Sequence, residues 1–173
     1  MLTRETVNLK ANTIRQVFKN LLVSLILLGV MCCSSRSSPE ESLEDFYKYS
    51  GGEETLMDPL ILAGDKVVPL VLENIRNKQM PKRRYAIEFL GNGTIRQALP
   101  ALEELVKNNT EEDFIRGDAL QAIYRIDQGL GREIAQKYKD APALLGGIAK
   151  NIIAGSISLE RRSYFTSFLA HSF

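Results

Sequence analysis

The chain has 173 residues but no tryptophan, one histidine (His171) and two cysteines, Cys32 and Cys33, which are adjacent. Neighbouring cysteines do not readily bridge, because a disulfide needs Cα atoms farther apart than successive residues allow. With no third cysteine, a disulfide framework is excluded. One histidine near the end of the sequence and a cysteine pair cannot furnish a four-ligand zinc site. No G-x-S-x-G, Walker-type glycine loop or H-E-x-x-H occurs. The stretch GNGT at 91–94 follows a helical pattern rather than a strand, so it reads as a turn. The acidic pairs Glu103-Glu104 and Glu111-Glu112 should point apart on a helix and lie in solvent. No group of residues converges on a reaction, so neither catalysis nor a metal nor another cofactor is expected. Alternation with period two is also missing, which leaves no expectation of strands.

Charge of one sign is lacking too. The formal net charge is +1, and the first 33 residues hold Arg4, Lys10, Arg15 and Lys19 against Glu5. What remains is a body with 18 basic and 20 acidic residues. That balance argues against nucleic acid as a partner, since phosphate recognition needs a basic face.

One apolar run is present, LLVSLILLGVM at 21–31. It is too short to cross a bilayer comfortably, which takes about 20 apolar residues. Positive charge before it and small residues after it fit a signal-peptide h-region. Cys32 closes the run and a serine-rich stretch follows, an arrangement that resembles a bacterial lipoprotein signal. The resemblance implies lipidation at Cys32, although Gly29, Val30 and Met31 depart from the small residue expected just before the cysteine. A conventionally cleaved export signal and a retained anchor are the alternatives. Residues 1–33 are therefore read as signal or anchor, 34–38 as linker and 39–173 as the folded body. The expected location is the cell envelope.

The body opens on a helix start. Ser38 is an N-cap, Pro39 suits the first helical position, and Glu41 completes a capping box. Leu43, Phe46 and Tyr47 share one face. Further along, Pro69 in VVPLVLENI and Pro100 in ALPALEELV both sit inside amphipathic helices, 31 residues apart. Proline costs about 3 kcal/mol in a helix interior but little in its first turn. Both prolines therefore mark a start, with Asp65 the expected cap of the first and Thr94 or Gln97 of the second. The helix that follows repeats as well, as RRYAIEFL and RGDALQAI, which match as R-x-x-A-x-x-[FA]-[LI] from Arg83 and Arg116 at a spacing of 33. The two extra residues fall in the turn NNTEED. Gly91 and Gly93 are expected to form a left-handed exit from the first copy.

An early proline in the first helix and R-x-x-A-x-x-A-L in the second resemble the short bacterial HEAT-repeat superfamily. The likeness covers about residues 60–126 and continues loosely to 139. It implies an all-α fold, a HEAT-like α-solenoid of two clear helical hairpins with capping helices at 39–49 and 59–63. Residues 131–140 read as the first helix of a degenerate third unit, and 142–155 and 158–170 as caps. The resemblance also implies that second helices face the concave side, which would expose Arg84, Tyr85 and Glu88 from the first copy and Asp118, Gln121 and Arg125 from the second. Tyrosine and arginine are frequent interface anchors. The expected function is thus a non-catalytic scaffold of the cell envelope that binds another protein through this face, tethered to the membrane by its N-terminal anchor or lipid. Some short HEAT proteins are bilin lyases, so a lyase-like or chaperone-like protein inside the cell is the alternative.

Overall fold

The computed structural model describes residues 37–159, and these contain helices and turns with no strand. Cys32, Cys33, His171 and most of the 158–170 cap lie outside the described residues. Helix α1 spans Pro39–Lys48 and starts as its sequence dictates. The Ser38 hydroxyl accepts from the Glu41 N–H at 3.1 Å, and the Glu41 carboxylate accepts from the Ser38 N–H at 2.8 Å. Leu43 and Phe46 are buried, and Tyr47 packs against the same core. Helix α2, Asp58–Ala63, lies against α1 and stops at Gly64, whose φ of 63° favours glycine.

Two units follow that begin in the same way. A 3-10 turn, Gly64–Val67, leads into α3, Val68–Asn74. Another, Arg96–Ala98, leads into α5, Leu99–Lys107. Pro69 and Pro100 each occupy the second residue of their α-helix, within the first turn. The expected side-chain caps are replaced. The entering N–H groups of Val68 and Leu99 bond instead to the backbone carbonyls of Asp65 and Arg96, so the 3-10 turn itself satisfies them.

The second helices are α4, Arg83–Asn92, and α6, Asp113–Ile126. The arginine that opens each pattern does the same work. Arg83 Nε donates to the Ile75 carbonyl at 2.6 Å, and Arg116 Nε donates to the Val106 carbonyl at 2.9 Å. Each thereby satisfies a carbonyl at the end of the preceding first helix. The bond reaches back 8 residues in one unit and 10 in the other, which puts the two-residue difference in the intervening turn. Beyond α6 come α7, Gln128–Tyr138, and α8, Ala143–Ala154. Helix α7 starts three residues before the expected 131, because the Asp127 side chain caps it through the Leu130 N–H at 3.1 Å. Pro142 cannot cap α8 with its own side chain. Asp113 does so from α6, accepting from the N–H groups of Leu144 and Leu145 at 2.6 and 3.2 Å.

Helix α4 packs on α6 and α6 on α8, while α5 and α7 pack against this row. Ala86, Ile87 and Leu90 of α4, Ala119, Leu120 and Ile123 of α6, and Leu145, Ala149 and Ile152 of α8 are buried. Each fully buried leucine or isoleucine contributes about 1.5–3 kcal/mol. The expected left-handed glycine exit is not formed. Gly91 is helical, Gly93 has φ −71°, and Thr94 takes the left-handed position at φ 51°. Gly91 serves close packing instead: a Cβ there would stand 2.8 Å from the Ala122 Cα.

Glu111 overturns the expectation of a solvated acidic pair. It precedes α6 rather than lying on a helix, and its side chain is 2 % exposed. Its oxygens accept from Arg83 Nη1 and Nη2 at 2.9 and 2.7 Å. This ion pair joins the start of the first unit's second helix to the turn that precedes the second unit's. Arg83 holds its carboxyl below the usual carboxylate range, against the opposing effect of burial. In the second unit Arg116 has the Tyr138 ring beside it, 5.6 Å from guanidinium carbon to centroid.

Candidate functional site

Helices α4 and α6 lie side by side, so residues at helical spacing on each face a shared groove. Arg84, Tyr85 and Glu88 come from α4, and Asp118, Gln121 and Arg125 from α6. All six line a single cavity of about 190 Å³, whose floor includes Gly91 and Ala122. The close approach that glycine and alanine permit sets the width of this groove.

Its polar groups are linked across the two units. Arg84 Nε donates to Asp118 Oδ2 at 2.6 Å, and this hydrogen bond raises the arginine's pKa above its ordinary value. The same guanidinium lies 5.5 Å over the Phe114 ring. Arg125 Nη1 donates to Asn92 Oδ1 at 2.9 Å, and Asn92 Nδ2 donates to Glu88 Oε1 at 3.2 Å. The Tyr85 hydroxyl donates to Glu53 Oε1 at 3.3 Å. Partial desolvation, with the nearby Glu53 carboxylate, pushes the Tyr85 phenol up. Gln121 lines the cavity and makes no side-chain hydrogen bond among the described residues.

Three contributors are not visible in the repeat pattern. Glu53 comes from the 3-10 turn Glu53–Thr55 between α1 and α2, outside both copies. Asn92 is buried, and only its 33-residue separation from Arg125, one repeat period, points to it. Phe114 is 38 % exposed beside the Arg84 guanidinium. Among the described residues no group of three or more histidine, cysteine or acidic side chains could hold a metal ion. The groove offers charge, hydrogen bonding and aromatic surface, which are means of recognition. No protein-family model, no curated protein and no solved structure matches this chain.

Proposed function

We propose that this protein is a HEAT-like solenoid that acts as a non-catalytic, protein-binding scaffold of the cell envelope. The observation that carries the reading is the convergence of Arg84, Tyr85, Glu88, Asp118, Gln121 and Arg125 on one groove. The solenoid part is supported by the cross-links between units. Arg83 to Glu111, Arg84 to Asp118, Arg125 to Asn92, Arg96 to Asp127 and Asp113 to Leu144 join residues 28 to 34 apart. Links of about one period are what a stack produces when each unit touches its neighbours. A cavity of about 190 Å³ falls below the roughly 300–1,000 Å³ of ordinary small-molecule sites. It suits one or two side chains of a partner protein. The envelope address comes from residues 1–33 of the sequence, and no helix among the described residues is long and apolar enough to cross a membrane.

The test is co-purification from detergent-solubilised envelope, comparing wild type with an Arg84→Glu, Tyr85→Ala, Arg125→Glu variant whose thermal melt is intact. Loss of a central anchor costs about 2 kcal/mol or more, roughly thirtyfold in affinity. A specific partner lost with the variant supports the reading, and one that is fully retained overturns it. A pigment or metabolite captured in place of protein would support a lyase-like role instead. Intact mass tests the address: residues 1–31 should be missing, with a lipid on Cys32. An unmodified chain from Met1 in the cytosol defeats it.

A further inference from the structure

The charge of the groove is not uniform along its length. Gly91 and Arg125 line both it and a second cavity of about 170 Å³, so they mark one end. Tyr85 lines the first cavity only and lies about 9 Å back along α4 from Gly91. Near Tyr85, Arg84 is already held by Asp118 through contacts of 2.6 and 3.4 Å, so those two charges largely cancel. Two further carboxylates act at this end. Glu53 is exposed, and its Oε1 accepts from the Tyr85 hydroxyl at 3.3 Å. Desolvation raises the pKa of that phenol, and the charges of Glu53 and Glu88 raise it further. The Tyr85 ring packs against the core, which fixes its position beside the two acids.

Such a set attracts a cation, the carboxylates through their charge and the ring through its quadrupole. The chain already uses the second contact within itself. A lysine or arginine group lies over the rings of Phe46, Phe114, Tyr138 and Tyr124, 5.5 to 5.6 Å from each centroid. Tyr85 is not among the rings paired in this way among the described residues. Glu53 adds a further reason. Its bond to the Tyr85 hydroxyl is long and has a neutral donor. A hydrogen bond from an ammonium or guanidinium is stronger, because charge on the donor shortens and strengthens it. An acidic side chain would instead meet two like charges at this end.

We propose that the Tyr85 end of the groove takes a lysine or arginine side chain of the partner protein, its cation held by Glu53 and Glu88 beside the Tyr85 ring. The partner is thereby a protein that presents an exposed basic residue. The inference rests on the groove being a protein-binding surface.

Panning a random heptapeptide library, displayed on phage, against the full chain in detergent micelles tests it. The enriched peptides should share a lysine or arginine. Replacing that residue by glutamine should weaken binding about tenfold, the effect expected of a charge-assisted contact. Glu53→Gln with Glu88→Gln should weaken the basic peptide to a similar degree and leave the glutamine peptide unchanged, so the two changes are not additive. Enrichment of acidic or purely apolar peptides, no enrichment over a bare support, or additive losses would overturn the proposal. The peptide replacement needs no protein variant, so the test survives a double variant that folds poorly. Capture of the envelope partner separates this inference from the reading beneath it. If the Arg84, Tyr85, Arg125 variant loses the partner while the Glu53, Glu88 variant keeps it, the basic-residue inference falls and the binding reading stands. If both variants keep it, both fall.

Discussion

Arg83 and Arg84 stand side by side at the start of α4, and each pairs with an acid of the second unit. The Arg83 side chain is 5 % exposed and that of Glu111 2 %, whereas Arg84 is 57 % and Asp118 17 % exposed. One peptide bond thus separates a buried seam from a solvent-facing groove. Removing two charges from water costs about as much as their mutual attraction returns, so a buried pair adds little net stability compared with apolar packing. Breaking it is another matter, because the surviving charge stays buried without its partner. The exposed pair is worth about 0–1 kcal/mol and can be exchanged for a partner's groups at small cost. Arg83 is enclosed at the contact between the two units, whereas Arg84 stays exposed in the groove.

The largest expected effect comes from cutting the seam. Glu111→Ala should lose about 3–5 kcal/mol in urea unfolding, while the apolar double replacement Arg83→Met, Glu111→Leu should lose clearly less. Equal losses would mean that the pair does more than avoid an unpaired charge. Acid probes the same seam. The folded pKa of Glu111 lies below 4.5, so its contribution is present above that value and is lost as the pH falls through the lower folded pKa. The stability gap between wild type and Glu111→Gln should therefore be flat above about pH 5.5 and shrink below about 4.5. A gap that grows on acidification would contradict the sign.

Next comes the packing that sets the groove's width. Gly91→Ala forces a methyl group onto the α6 backbone at Ala122, and overpacking of this kind costs about 1–3 kcal/mol. The Ser38→Ala change removes the capping-box hydroxyl of α1 and should cost about 1 kcal/mol without touching either the seam or the groove. Arg84→Ala is the smallest in stability, under about 1 kcal/mol, yet it should weaken capture of the partner. A large stability loss at Arg84 would erase the distinction drawn between it and Arg83.

Much of the helical frame was legible in the chain. Ser38, Pro39 and Glu41 form a local code for a helix start, read within four residues. Pro69 and Pro100 report their place in a helix because proline tolerates only the first turn. The six groove residues were named from the resemblance to a HEAT repeat, which implies that second helices share one side, and all six line one cavity. Where the reading failed, the deciding bond came from elsewhere in the chain or from the backbone. Asp65 looked like a cap by residue type, but its carbonyl does that work in a 3-10 turn. Gly91 looked like a turn residue, but Ala122 of the neighbouring helix explains it.

The sequence alone determined the helix starts marked by Pro39, Pro69 and Pro100 and the repeat spacings of 31 and 33 residues, because these depend on contacts within a turn or two. Tertiary structure alone decided that Glu111 would be buried against Arg83, that Asp113 would cap α8, and that Glu53 would join the groove. Each is a pairing across 28 or more residues. Its energy depends on how much water the packed helices exclude, and local residue type does not encode that quantity.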